Sequence, residues 1–187
     1  MTTYAARFTI DYPTAPLDRL STFFRLIWAI PILIIVGALT SIGWFATAMM
    51  ILFRQRYPRW WFDYSLAMTR FGARIGAYVA LLTDQYPSTE DEQSVHLELD
   101  YPDVPRQLNR WLPLIKWFLA IPHYIVLFFL LIGVFIAVVI AWFAILFTGR
   151  YPRSLFDYVV GVSRWYQRVN AYAFLLLTDA YPPFSLS

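Results

Sequence analysis

The sequence has no cysteine, only two histidines, and a single lysine among its 15 basic residues. The lack of cysteine excludes disulfide bonds, thiolate nucleophiles, iron–sulfur clusters and cysteine-ligated zinc. Charged residues make up 14% of the chain, whereas a soluble domain carries about a quarter. The basic residues form no continuous run, so the net charge of +3 does not indicate nucleic-acid binding. Together these shortages point away from most enzymes and metalloproteins.

Apolar residues are abundant, at 59% of the chain. Two runs lack acidic and basic side chains other than histidine: Leu26–Phe53, with 28 residues, and Trp117–Phe147, with 31. Each exceeds the roughly 20 residues that a membrane-spanning helix needs. Pro31 and Pro122 stand near the start of the two runs, both within Ala-Ile-Pro. We therefore predict an interfacial helix up to each proline (about 17–30 and 106–121) and a spanning helix after it.

The chain is a tandem duplication. Arg-Tyr-Pro-Arg at 56–59 recurs at 150–153, and over residues 56–82 this offset of 94 pairs 13 identical residues in 27. The predicted units are repeat 1 at 5–87, an acidic linker at 88–93, and repeat 2 at 94–183.

Each repeat opens with alternating apolar and polar residues, at 6–11 and 95–100. This alternation predicts two short strands that pair with each other or with another subunit. The expected fold is mainly α-helical and membrane-integral. Each half would contain a short strand, an interfacial helix, a long spanning helix and an arginine-bearing helix that is amphipathic or spanning.

The number of membrane crossings depends on the last helix of each repeat, about 61–82 and 155–177. If the strands lie on one side of the membrane, each half crosses an even number of times, which gives four spans. The rival interpretation lays these two helices in the interface, which leaves two spans of opposite orientation. We favour four spans, while arginine counts on the two sides leave the orientation open.

Charged residues form a stripe at helical spacing on each of these last helices. The stripe is a candidate polar network or lipid contact, and an anion or proton path is the less favoured interpretation. We favour pairing of arginine with aspartate within and between the helices. The residues are Asp63, Arg70 and Arg74 in repeat 1, and Asp157, Arg164 and Arg168 in repeat 2.

Two further features invite a binding role. The turns carry Arg56, Arg59, Arg150 and Arg153, which could contact lipid headgroups or simply set topology and stop a helix. His123 lies within the second apolar run; it could ligate a haem or pigment, but we favour a polar residue at the interface, since no second ligand lies one turn away.

We find no nucleophile with a base, no paired carboxylates in a pocket and no glycine-rich phosphate loop. The sequence therefore predicts a protein that is not an enzyme, with no catalytic, cofactor-binding or metal-binding residues.

Three blocks, at 142–153, 155–161 and 178–186, read WFAILFTGRYPR, LFDYVVG and TDAYPPFSL. With them the chain resembles a bacterial membrane-protein family known as a domain of unknown function, whose members often carry this unit in tandem. In repeat 1, Gln55 replaces the glycine found at Gly149. The resemblance implies a bacterial cytoplasmic-membrane protein of unassigned activity and brings no catalytic residues. The predicted spans would make it a multi-pass protein.

We expect a non-enzymatic accessory or scaffolding subunit of a larger membrane assembly. Its partners would be membrane lipids together with other membrane subunits or further copies of itself. The alternative is a small transporter or a protein that binds anionic lipid through the arginine stripe.

Overall fold

The structure is a computed structural model that describes residues 4–40 and 43–187; the side chains of residues 35–40 lie outside this description. Part of the first apolar run therefore falls outside the described residues. Repeat 1 contains β1 (Ala6–Ile10), α1 (Arg19–Thr40), α2 (Gly43–Met49), a π-helical turn (Met50–Arg54) and α3 (Arg59–Val79). Repeat 2 contains β2 (Val95–Leu99), α4 (Val104–Gln107), a 3₁₀ turn (Leu112–Leu114), α5 (Lys116–Leu119), α6 (Ile121–Thr148) and α7 (Arg153–Ala173).

The two strands form one antiparallel sheet in which Phe8 lies opposite Leu97. The alternation has its usual cause, because successive side chains of a strand point to opposite faces. Apolar side chains such as Phe8 and Leu97 are buried on the inner face. On the outer face Arg7 pairs with Glu98 at 3.0 Å and with Asp100 at 2.9 Å. The prediction that the strands pair with each other is confirmed.

The repeats exchange their strands. Strand β1 packs against α7 of repeat 2, and β2 packs against α3 of repeat 1. One hydrophobic core accordingly combines buried residues of both repeats, among them Phe8, Phe62, Leu97 and Phe156. The strand of each repeat is thus covered by a helix of the other repeat.

The helices form a second layer beneath the sheet and a third beyond it. Helix α7 contacts β1 and also α6, while α3 contacts β2 and also α1. Helix α7 runs beside the first half of α6, where Tyr158 donates a hydrogen bond to the Leu130 carbonyl (3.0 Å) and Trp165 donates to His123 (3.1 Å). Helices α3 and α7 thus separate the polar sheet from the apolar α1 and α6.

The two prolines act differently. Pro122 lies in the first turn of α6, where a helix needs no N–H donor, so a helix begins there as expected. The predicted break at Pro31 is wrong, because α1 continues through it. Ala29 and Ile32 on either side are buried, and Ile32 packs on Phe71 of α3. This packing holds the helix together across the hydrogen bond that Pro31 removes.

Among the described residues, α6 is the helix long and apolar enough to cross a membrane. Its 28 residues extend over about 42 Å at 1.5 Å per residue. Helices α3 and α7, which the four-span interpretation needs, do not meet that criterion.

Candidate functional site

The predicted arginine stripes face the backbone of the exchanged strands. Arg70 of α3 donates through Nε to the Leu97 carbonyl at 2.7 Å. Its counterpart Arg164 of α7 donates through Nε to the Phe8 carbonyl at 3.0 Å. Since Phe8 and Leu97 are partners in the sheet, one arginine of each repeat holds the strand of the other at equivalent positions.

The second arginine of each stripe donates hydrogen bonds to the backbone of the segment that follows its repeat. Arg74 donates to the Ser88 carbonyl at the start of the linker. Arg168 donates to the carbonyls of Ser185 (2.7 Å) and Ser187 (2.9 Å) near the C-terminus. Burial, with a smaller contribution from Arg164, lowers the pKa of Arg168, although a guanidinium stays charged at neutral pH.

The aspartates of the stripes are engaged elsewhere. Asp63 pairs with Arg59 at 3.5 Å and Asp157 with Arg153 at 3.1 Å, one helical turn away. More than half of each aspartate side chain is exposed. The arginine–aspartate pairing therefore occurs at the start of each helix, and the four stripe arginines bind backbone carbonyls instead.

The four arginines of the turns form two pairs, one in contact with aromatic rings and one exposed. Arg59 lies over the ring of Tyr101 (4.7 Å) and Arg153 over the ring of Tyr12 (4.5 Å), again across the repeats. Arg56 and Arg150 are exposed, and within the described residues their side chains have no hydrogen-bond or ion-pair partner. Of the four turn arginines, these two are free to meet an anion.

Sequence reasoning missed a buried cation in each repeat. Arg25, 1% exposed, pairs with Asp84 and donates to the Thr83 carbonyl at 2.5 Å. Its counterpart is Lys116, which is fully buried and pairs with Asp179 at 2.7 Å. The signal was present in the sequence, since Arg25 aligns with Lys116 and each repeat ends in a Thr-Asp step.

The surroundings of Lys116 lower the pKa of its ammonium group. Burial lowers the pKa of Lys116, and the hydrogen bond and charge of Asp179 offset part of that effect. Lys116 also donates to the Thr178 carbonyl at 2.8 Å and lies 5.2 Å from the centre of the Tyr172 ring. The cation is thus held by one carboxylate, one carbonyl and one aromatic face.

A strained leucine precedes each Thr-Asp step. Leu81 and Leu176 are buried and have φ values of 64° and 57°, in the left-handed region that costs a non-glycine residue on the order of 1 kcal/mol. The bend turns the chain so that the following Thr-Asp step meets the buried cation. In each repeat the left-handed leucine ends the helix, and the next residue donates a backbone hydrogen bond into its last turns (Leu82 to Ala77 and Leu177 to Ala171, both 2.9 Å), as in a helix C-terminal cap.

His123 is fully buried inside the protein, and its expected position at the membrane interface stays a prediction. Its Nδ1 accepts from Trp165 Nε1, and its ring stacks on Phe184 at 4.0 Å between centroids. Within the described residues Nε2 has no hydrogen-bond partner. No group of three or more potential metal-ligating side chains occurs in residues 4–40 and 43–187.

Comparison with known proteins gives one family. The model of a domain of unknown function (DUF4389) matches residues 19–89 and 111–185. These two segments correspond to the two repeats, so the comparison confirms the duplication. No curated protein and no solved structure matches the chain.

Proposed function

This chain belongs to the DUF4389 family of domains of unknown function, and on that premise we propose that it is a non-enzymatic membrane protein serving as an accessory or scaffolding subunit. Helices α1 and α6 would lie in lipid, and the sheet would face water or another subunit. The bacterial cytoplasmic membrane is the proposed location.

The distribution of exposed apolar side chains carries this proposal. Buried residues of α6, such as Ala137, Ala141 and Ile145, follow one face of the helix. The opposite face exposes large apolar side chains, as does α1 over residues 20–34. Contiguous apolar surface of this extent is typical of a lipid or protein contact. The most exposed members include Leu20, Leu26, Ile27, Ile34, Phe128, Phe129, Phe135 and Phe147.

The position of the sheet bears on how α6 meets the membrane. Arg164 holds Phe8, and the neighbouring Trp165 bonds His123, so the sheet lies level with the first half of α6. If α6 crossed the bilayer upright, about 30 Å of hydrocarbon would surround all but roughly four residues at each end. The solvent-facing cluster of Arg7, Glu98 and Asp100 would then lie level with the start of α6, near the membrane surface, where charged side chains reach water.

We favour α6 lying along the membrane surface with its apolar face in lipid and its buried face on α7 and α1, as amphipathic surface helices do. The multi-pass arrangement expected from the sequence is the competing proposal. In it, the sheet would lie beside the start of α6, near the membrane surface.

Cysteine labelling separates the two arrangements, because the chain has no cysteine of its own. Single cysteines at Trp117 and Arg150 flank α6, and one at Thr9 marks the outer face of the sheet. In sealed vesicles, a membrane-impermeant maleimide should label all three from the same side. Labelling of the two flanks from opposite sides would overturn the surface arrangement and establish a crossing.

The accessory role is tested by what accompanies the protein. The chain should be purified from its native membrane in mild detergent, and all copurifying proteins and lipids identified by mass spectrometry. We expect other subunits in constant stoichiometry. A lone monomer in repeated preparations would contradict the accessory role.

Binding of anionic lipid is a second candidate, supported by the free side chains of Arg56 and Arg150. Arginine suits lipid phosphates at the membrane surface. The double variant Arg56→Gln and Arg150→Gln should bind less to vesicles that contain phosphatidylglycerol, whereas Arg59→Gln, whose side chain is engaged internally, serves as the control. A transporter that uses the stripe arginines has less support, because each already binds backbone carbonyls.

A further inference from the structure

The two-stranded sheet has two outer edges, one along β1 and one along β2. In an antiparallel pair, opposite residues alternate between bonding each other and pointing their peptide groups outward. The bond from the Asp100 N–H to the Ala5 carbonyl (3.0 Å) fixes this alternation. By the register of the sheet, the peptide groups of Phe8 and Leu97 therefore point outward, each at the middle of one edge.

An arginine covers the middle of each edge. Arg70 of α3 donates to the Leu97 carbonyl at 2.7 Å, and Arg164 of α7 donates to the Phe8 carbonyl at 3.0 Å. Phe8 is 3% exposed and Leu97 is 2% exposed, although each lies at an edge of the sheet. Arg70, in contrast, is itself exposed. Its side chain therefore lies between the β2 edge and solvent.

These contacts bear on how the sheet meets other chains. An uncovered edge strand is a template for pairing with a strand of another molecule. The incoming strand needs the outward carbonyls as hydrogen-bond acceptors, and at both edges the central carbonyl is already bonded to a guanidinium. Two copies that paired through β2 about Leu97 would also bring two Arg70 side chains together, and juxtaposed like charges oppose association.

We propose that Arg70 and Arg164 close the two edges of the sheet against strand addition by a second copy of this chain. The β1 edge has a second cover, because Arg164 also donates to the Leu186 carbonyl at 3.1 Å. Within residues 4–40 and 43–187, Arg70 bonds Leu97 and no second segment, so the β2 edge depends most on its arginine. The closure does not depend on whether α6 lies along the membrane or crosses it.

A single cysteine reports pairing at an edge, since the chain has none of its own. Glu98→Cys places it on the exposed outer face of β2. If two copies paired through β2, their cysteines would be near neighbours on one face of the enlarged sheet, within reach of a short bismaleimide. The full chain is treated with this crosslinker in mild detergent, and the crosslinked dimer is quantified. With Arg70 present, we expect little dimer.

Two arginine substitutions on one helix provide the decisive pair. Arg70→Ala should raise the fraction of crosslinked dimer about tenfold, because it frees a hydrogen-bond acceptor at the edge and removes a like charge. Arg74→Ala is the matched control. Arg74 lies one turn further along α3 and donates to the Ser88 carbonyl, outside the strand, so this variant also loses one charge and one bond to the backbone. It should leave the amount of dimer unchanged.

Two further measurements keep the test independent of folding. Arg70→Met retains an apolar stem over the strand and removes the guanidinium, and it should still raise the amount of dimer about threefold. In the crosslinked dimer the outward N–H of Leu97 gains a partner. The β2 peptide should therefore exchange its amide hydrogens more slowly in the dimer than in the monomer, whereas unfolding would make that exchange faster.

The β1 edge is tested in the same way, with Thr9→Cys as the reporter and Arg164→Ala as the variant. We expect a smaller rise in dimer than at β2, because the second cover remains, and no rise would overturn the proposal for this edge. Abundant dimer with both arginines present would overturn the proposal as a whole. So would a failure of both Arg70 variants to raise the dimer, or an equal rise in Arg74→Ala.

Discussion

The buried ion pairs allow a prediction with an internal control. Asp179→Asn leaves Lys116 without its carboxylate in a fully buried position. Breaking a buried pair by removing one partner costs about 3–5 kcal/mol. The exposed pair of Asp63 and Arg59 provides the comparison, since Asp63→Asn should cost less than about 1 kcal/mol.

The loss in Asp179→Asn should depend on pH. Burial lowers the pKa of Lys116 below 10.5, and Asp179 opposes this, so the variant lowers it further. The folded state then binds fewer protons than the unfolded state, and stability rises with pH toward the ordinary lysine pKa. The deficit of the variant should therefore be largest near pH 7 and shrink as pH approaches 10.

Asp84→Asn is the matched variant in repeat 1. Its partner Arg25 is equally buried, but a guanidinium does not lose its proton in this range. Its deficit should consequently stay constant between pH 7 and pH 10. The assay is reversible unfolding in mixed detergent micelles, followed by tryptophan fluorescence. A deficit in Asp179→Asn that equals that of Asp63→Asn, or that does not change with pH, would refute the reasoning.

Three further predictions concern the strand exchange and the backbone. Arg164→Gln removes the bond to the Phe8 carbonyl and should lower the free energy of unfolding by about 1–3 kcal/mol; faster amide exchange in β1 should accompany this, and unchanged exchange would contradict it. Gln55 has a φ of 45°, a backbone conformation that glycine adopts without strain. Gln55→Gly should therefore raise the free energy of unfolding by about 0.5–1 kcal/mol. A decrease would show that the Gln55 side chain contributes to stability. A Cβ at Gly133 would overlap the Tyr158 hydroxyl, so Gly133→Ala should destabilise the α6–α7 contact by about 1–3 kcal/mol, and the added variant Tyr158→Phe should restore most of the loss.

Much of the fold could be predicted from local patterns. The duplication follows from identical residues at one offset, and the strands from alternation over 6–11 and 95–100. Local patterns did not predict the effect of each proline, because Ala-Ile-Pro begins a helix at Pro122 but lies inside one at Pro31. The same tripeptide has two different structures because Ile32 packs on Phe71 of another helix. A local sequence pattern does not show a contact of this kind.

The candidate site was predicted as a set of residues but not as a set of contacts. Helical periodicity predicted that Arg70 and Arg164 each lie on a face of their helix with other polar residues, and the structure places them there. It could not show that their partners are strand carbonyls, since any backbone offers carbonyls. Arg25 and Lys116 were missed because a cation beside an apolar run is usually assigned to the membrane surface.

The sequence by itself determined that the chain has two similar halves, each with a short strand, a long apolar segment and an arginine-bearing helix. These properties depend on residues close together in the chain. Only the tertiary structure decided that β1 packs on α7 and β2 on α3, that His123 is buried, and that Arg70 and Arg164 bond strand carbonyls. Such contacts join residues far apart in sequence, as Phe8 and Arg164 are, and depend on how all the faces pack together, which no single periodicity records.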